Sequence, residues 1–330
     1  MGYSNWSDAA YQARQQQRHQ SKQSAFAYDQ QVRSSGVKRV HDQMNPRGVT
    51  RESRDSADHP NSVAVGVIFD VTGSMGSVPR MLQTKLGKLM RLLIQKGYLD
   101  HPQVLFGAVG DAYCDAVPLQ IGQFESGLEM DDELGKIFLE GGGGGQVHET
   151  YELGIYFMAH HTTIDCYEKR HKKGYLFTIG DEKPYPMVQR QQVQKHIGDR
   201  LKRDLPIAAV IAEVQRRYEY FHIIPTNTAH GQNPEVQDRW RELLGERVLL
   251  LEDEAAVCET IALAIGLCEG TVYDLNHGAD DLVQAGYDAT AATAAATALT
   301  RYAAVRPPVA VTSGGWLPVA ASVVSNDGRL

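Results

Sequence analysis

The chain has 330 residues, of which 42% are apolar and 22% charged, and a formal net charge of −7. These values suit one large α/β domain with tails, or two small domains, and disfavour general nucleic-acid binding. No run of 18 apolar residues offers a membrane span, since the best stretch, 255–267, is interrupted by Glu259.

The polar opening, residues 1–11, lacks the apolar centre of a signal peptide. Cys114, Cys166, Cys258 and Cys268 form no C-x-x-C pair and read as free thiols of a reducing compartment. A cytoplasmic protein is expected. Residues 1–60 are Gln-rich and poor in apolar side chains, so they read as a disordered segment or as a docking arm with some helix around 6–33.

Order begins at Ser62. The continuous apolar run 63–69 ends in Asp70, the pattern of a strand buried on both faces. After a turn at 71–76, Val78, Met81, Leu82, Leu86, Leu89, Met90 and Leu93 recur at helical spacing up to Gly97. A second strand, 104–109, runs into Gly110-Asp111, a shorter one near 116–121 pairs beside it, and an acidic helix covers about 129–139. Five glycines at 141–145 break the chain before a helix over 148–160. The strand 175–179 then ends in Gly180-Asp181. Helices at 187–197, 206–218, 234–244 and 254–267 alternate with strands at 220–224 and 247–251.

The alternation predicts an α/β domain over 61–270 with a mainly parallel, doubly wound sheet, helices on both faces and a ligand site at the carboxyl ends of the strands. Residues 271–330 read as an Ala/Thr-rich helix, about 279–304, and an irregular tail holding Arg306-Pro307-Pro308 and Ser313-Gly314-Gly315.

Three of these strands end in an aspartate on the ligand side: Asp70, Asp111 and Asp181. A carboxylate at the end of a buried strand is costly unless paired, hydrogen-bonded or bound to a cation. Only Lys183 lies in the same turns, so a divalent cation is the simplest counter-charge. Thr72 and Ser74 place hydroxyls two and four residues after Asp70, with Gly73 allowing a tight backbone. Hard oxygen donors of this kind suit Mg²⁺, or Mn²⁺ in its place.

The stretch Val65-Gly66-Val67-Ile68-Phe69-Asp70-Val71-Thr72-Gly73-Ser74-Met75 resembles the first motif of the metal-ion-dependent adhesion site in von Willebrand factor A domains, D-x-S/T-x-S. The resemblance covers about 62–268 and implies a six-stranded sheet. It also implies a metal held by Asp70, Thr72, Ser74, a residue from the glycine loop and Asp181. Many members place a threonine after two glycines. Here Gln146-Val147-His148-Glu149-Thr150 is closer to the integrin β-subunit pattern, in which a glutamate opening the helix binds the metal. Glu149 matches that position and Thr150 is the fallback ligand. Accessory-site ligands would fall at Gly144, Gln146, Ser77 and Val78, which carry no acids. One metal is therefore expected, with Asp111 accepting hydrogen bonds just outside it or simply capping Tyr113 or Cys114. The implied role is non-enzymatic: binding a protein partner whose Glu or Asp fills an open metal position. A AAA+ ATPase or another component of an intracellular assembly is such a partner.

The chemical alternative is an Mg²⁺-dependent phosphotransferase similar to haloacid dehalogenases, with Asp70 as nucleophile and Gly180-Asp181-Glu182 in the metal loop. Against it, Thr72 stands where a second acid is usual and Tyr185 where a further Asp would be. Ser74 lacks the G-x-S-x-G context of a hydrolase, and no Gly-Lys-Ser/Thr follows the glycines as in a P-loop. His160, His161, His171 and His196 read as solvated, as does the basic run 169–173. His148 adjoins Glu149 and could sense pH there.

Overall fold

A computed structural model describes residues 4–142 and 147–306. The centre of the glycine run with Gly144 and Gln146, and the tail beyond Arg306, lie outside the described residues.

Ser7 caps the first helix by accepting a hydrogen bond from the Ala10 amide, and Asp8 and Arg18 suit its two ends. In chain order come α1 (Asp8–Ser21), α2 (Ala27–Ser35), β1 (Arg51–Ser53), β2 (Ser62–Asp70), α3 (Val78–Gln95), β3 (His101–Val109), β4 (Leu119–Ile121) and α4 (Glu129–Gly135). The middle of the chain forms β5 (His148–Glu149), α5 (Tyr151–His160), β6 (Thr162–Ile164), α6 (Asp165–Arg170), β7 (Gly174–Ile179), β8 (Lys183–Pro184), β9 (Met187–Val188) and α7 (Arg190–His196). Then follow β10 (Leu205–Pro206), α8 (Ile207–Arg217), β11 (Tyr218–Pro225), α9 (Pro234–Leu244), β12 (Val248–Leu251) and α10 (Val257–Glu269). Three further helices close the described chain: α11 (Leu275–Gln284), α12 (Ala289–Ala298) and α13 (Thr300–Val305). The single helix expected over 279–304 is thus broken, and Gly286 at φ +83° marks one break.

The main sheet has the order β12-β11-β7-β2-β3-β4. The expected mainly parallel, doubly wound architecture is corrected to a mixed six-stranded sheet, because β4 pairs antiparallel with β3 through Gly107↔Ile121 and Val109↔Leu119. The reason is chain length. Only residues 110–118 join the two strands, too short for the helical crossover that a parallel return needs. Elements from both chain ends also thicken one side of the sheet beyond a simple strand–helix alternation: Tyr11 of α1, Ala291, Ala292 and Ala295 of α12 and Tyr302 of α13 join its core.

β2 is buried along its whole length between β3 and β7. Its side chains alternate as a pleated strand requires. Val63, Val65, Val67 and Phe69 pack with Leu82, Leu86 and Leu89 of α3 and Ile261 and Ile265 of α10. Ala64 and Ile68 face the other way, toward Leu153 and Phe157 of α5 and Val210 and Val214 of α8. A strand closed on both faces leaves its carboxyl end as the natural place for its one acid, Asp70.

The amino-terminal helices are seated on this frame. Tyr11 lies over Gly87 of α3, where an added Cβ would come within 2.7 Å of the ring. Asp131 of α4 is fully buried and takes Arg18 at 2.6 Å and the Gln83 amide at 3.0 Å. No helix among the described residues is long and apolar enough to cross a membrane, and all four cysteines are free.

Candidate metal centre

Asp70 ends β2 with no solvent exposure. Its Oδ1 accepts hydrogen bonds from the amide and the hydroxyl of Thr72, each at 2.7 Å. The Tyr151 hydroxyl donates to Oδ2 at 3.3 Å. The hydroxyls of Thr72 and Ser74 are 3.2 Å apart, so the 70–74 turn gathers its oxygens on one side. The Gly73 amide fixes this turn by donating to the Gly142 carbonyl at 2.7 Å, and the Gly141 amide does so by donating to Val71 at 3.1 Å.

A short parallel pairing supplies the other acids. β5 and β8 pair through His148↔Lys183 and Glu149↔Pro184, which brings Glu149 beside Glu182. One carboxylate oxygen from each of Asp70, Glu149 and Glu182 lies within 4.8 Å of the others, and all three residues are buried. Glu149 Oε2 and Glu182 Oε2 are buried without a hydrogen-bond partner, as is Asp181 Oδ1. The other Asp181 oxygen accepts from the His230 amide at 2.8 Å.

Counter-charge from the protein is scarce. His230 Nε2 stands 3.7 Å from Glu182, and Lys183 turns away to Glu235 at 3.0 Å. Among the described residues no lysine or arginine forms an ion pair with Asp70, Glu149, Asp181 or Glu182. Burial therefore dominates the acid–base behaviour, reinforced by repulsion among the acids. Asp70 is pushed up to about 7, first by burial, against the pull of its Thr72 bonds, with Asp181 adding to the rise. Glu182 is pushed up to about 8 by burial and by Asp70. Glu149 is raised strongly by burial, then by Asp70 and Glu182. Without a cation, these groups cannot all be ionised at neutral pH. The orphaned oxygens and the all-oxygen donor set fit a hard divalent ion.

The structure thus brings Asp70, Thr72, Ser74 and Glu149 to one place and sets Asp181 beside them. Asp111 is engaged in its own turn, accepting from the Tyr113 amide at 2.9 Å and from the Tyr185 hydroxyl at 3.1 Å. The Thr150 hydroxyl accepts from the Ala112 amide at 2.7 Å, which ties the end of β3 to the start of α5. Glu182 is the member that sequence reasoning did not count as a ligand. Its signal was the second acid directly after Asp181, but which of two adjacent acids turns inward depends on the β5–β8 pairing.

An aromatic wall backs the site. Tyr151 meets His222 and Trp240 edge-on, with centroids 5.5 and 5.3 Å away, and His222 stacks on Trp240 at 3.6 Å. The Trp240 indole donates to the Glu182 carbonyl at 2.9 Å. Burial holds His222 well below its usual range, so it is neutral here. Gly180 is required by close approach, because a Cβ there would run into the Tyr151 hydroxyl.

No protein-family model and no curated protein matches the chain. Among solved structures it is similar to the pilus adhesin SpaC from Lactobacillus rhamnosus GG in its open conformation, with a TM-score of 0.41 and 8% identity over 67% of this chain. It is likewise similar to proximal thread matrix protein 1 from the mussel byssus, with a TM-score of 0.41 and 10% identity over 65% of this chain. The chain spans 31% and 50% of those proteins, respectively. Likeness at this level carries no functional argument.

Proposed function

We propose that this chain is a divalent-cation-dependent protein interaction module, and a binding protein rather than an enzyme. The observation that carries the reading is the buried cluster of Asp70, Glu149 and Glu182, three acids from three chain segments, in which an oxygen of Glu149 and one of Glu182 have no hydrogen-bond partner. These three would hold Mg²⁺ or Mn²⁺, with Thr72, Ser74 and Asp181 contributing directly or through water. A bound cation supplies a positive centre that one further carboxylate can join. The chain's own residues prepare that event. Thr72 orients Asp70 through two hydrogen bonds, Tyr151 closes the site from below, and Trp240 fixes the backbone of the 181–182 turn.

The partner is a protein that offers a Glu or Asp side chain. The similarity of 65–75 to the metal-ion-dependent adhesion motif supports this choice, and by analogy a AAA+ ATPase or another assembly component is a suitable partner. The acidic balance favours no nucleic acid, and the free cysteines and the absence of a membrane-length apolar helix among the described residues support a cytoplasmic setting.

The test is calorimetric titration of chelator-stripped protein with Mg²⁺ and Mn²⁺, alongside Asp70→Ala and a phosphate-release assay on the same sample. One-site binding that the variant loses, with no turnover, supports the module. Metal-dependent phosphate release that the variant loses would replace it with the phosphotransferase reading. Equal binding by wild type and variant would remove the site.

A further inference from the structure

The segment from Phe138 to Gly142 is held from two sides. On its inner side, the Phe138 amide and carbonyl both bond the Gln120 side chain of β4, at 2.9 and 2.8 Å. The segment then reaches the 70–74 turn through the Gly141 amide on the Val71 carbonyl and the Gly142 carbonyl on the Gly73 amide. These two bonds flank Thr72, the residue that orients Asp70.

On its outer side, the same segment is gripped by the amino-terminal arm. The Leu139 amide donates to Asp29 of α2 at 3.2 Å, and Arg33 donates to the Leu139 carbonyl at 2.6 Å. Asp29 and Arg33 are locked together by two bonds at 3.0 and 2.9 Å. Lys38 pairs with Glu140 at 2.5 Å. The Glu140 side chain is only 2% exposed and its second oxygen has no partner, so Lys38 is the basic group that meets this buried acid. Tyr28 and Val32 of α2 pack on Phe138 in a small core of their own.

We propose that the arm is a positioning element for the metal centre. Asp29, Arg33 and Lys38 hold the 138–142 segment at the height from which it sets the Asp70–Ser74 turn. None of the three touches the proposed ligands. Their effect passes through backbone hydrogen bonds at Leu139, Gly141 and Gly142. The inference rests on the metal-binding reading above and deepens it: the donor set is complete only while the arm is docked, so a factor that displaces the arm releases the cation.

The experiment measures Mn²⁺ affinity by calorimetry and the metal-free melting temperature of the full chain. It compares wild type, Asp70→Ala, the double variant Arg33→Ala with Lys38→Ala, the conservative variant Lys38→Arg, and Arg18→Ala. Arg18→Ala loosens the same arm at Asp131, away from the 138–142 segment. The double variant is expected to weaken Mn²⁺ binding about five- to tenfold, the factor that one lost hydrogen bond of ordinary net strength carries. Lys38→Arg should bind close to wild type, and Arg18→Ala should melt lower yet keep its affinity. If wild type binds, Asp70→Ala does not, and the double variant binds like wild type, the arm inference falls while the module stands. Equal loss in Arg18→Ala would reduce the effect to general loosening and also overturn it. A wild type that binds no metal removes both.

Discussion

Asp70→Asn removes one charge from the buried cluster of Asp70, Glu149 and Glu182. The amide keeps the shape of the carboxylate, and its oxygen can still accept both Thr72 bonds. Burial raises the Asp70 carboxyl from 3.8 to about 7. A group whose folded value is raised contributes stability fully below its unfolded value and loses it as pH rises through the folded one. In chelator, wild type should therefore lose stability between about pH 4 and pH 8, and the full displacement corresponds to about 4 kcal/mol as an upper bound. His196, lowered to about 4 by burial, and the neutral His222 act in the opposite sense, withdrawing stability as pH falls below their ordinary range. Wild type alone would thus give a mixed curve, whereas the difference between wild type and Asp70→Asn at each pH cancels the histidines.

Thermal melts in chelator should show little advantage for Asp70→Asn at about pH 4, where the carboxyl is protonated in the fold and still partly so in the unfolded chain. By pH 8 the advantage should grow to at most about 8 °C, at about 2 °C per kcal/mol for a domain of this size. Adding Mg²⁺ or Mn²⁺ at pH 8 should raise wild type past the variant and leave the variant unmoved, because binding to the folded state adds stability by mass action. A gap that stays constant with pH, or a metal response in the variant, would refute the electrostatic account of the cluster.

Four further outcomes rest on individual contacts. Glu149→Ala and Glu182→Ala should each weaken Mn²⁺ binding by about tenfold or more, the scale of losing one charged ligand. Thr150→Ala should instead keep its affinity and lose about 1 kcal/mol, since it strands the Ala112 amide; calorimetry and melts separate the two, and the reverse order would restore the threonine as ligand. Gly180→Ala should destabilise by about 1–3 kcal/mol through overpacking against Tyr151, and Tyr151→Phe should recover part of that loss. Strict additivity of the pair in denaturant titrations would show that the clash is relieved elsewhere. Tyr11→Ala should cost about 3 kcal/mol by emptying the contact over Gly87 and should expose residues 8–35 to limited proteolysis, whereas an arm that stays protease-resistant would contradict its docking through that ring.

What the sequence disclosed and what it concealed divide along the range of the interactions. Asp70 was readable because its cause is local: an uninterrupted apolar strand that ends in an acid, followed by hydroxyls at fixed spacing. Helix α3 was readable for the same reason, its apolar positions recurring every third or fourth residue. The direction of β4 was readable in principle, since the brevity of 110–118 forbids a crossover, but apolar content alone carries no direction. Glu182 is a different case. Asp181 and Glu182 are adjacent acids after one strand, and the chemistry of either suits a cation. The choice between them is made by two residue pairs, His148↔Lys183 and Glu149↔Pro184, that join segments far apart in the chain. The Gln-rich arm shows the same limit from the other side. Its composition lacks the apolar area to order itself, yet Tyr11 finds the bare backbone of Gly87, and Arg14, Arg18 and Gln83 converge on buried Asp131. A side chain missing at position 87 and a charge buried at 131 are properties of the receiving surface. The arm's order is therefore written in the domain that receives it rather than in the arm.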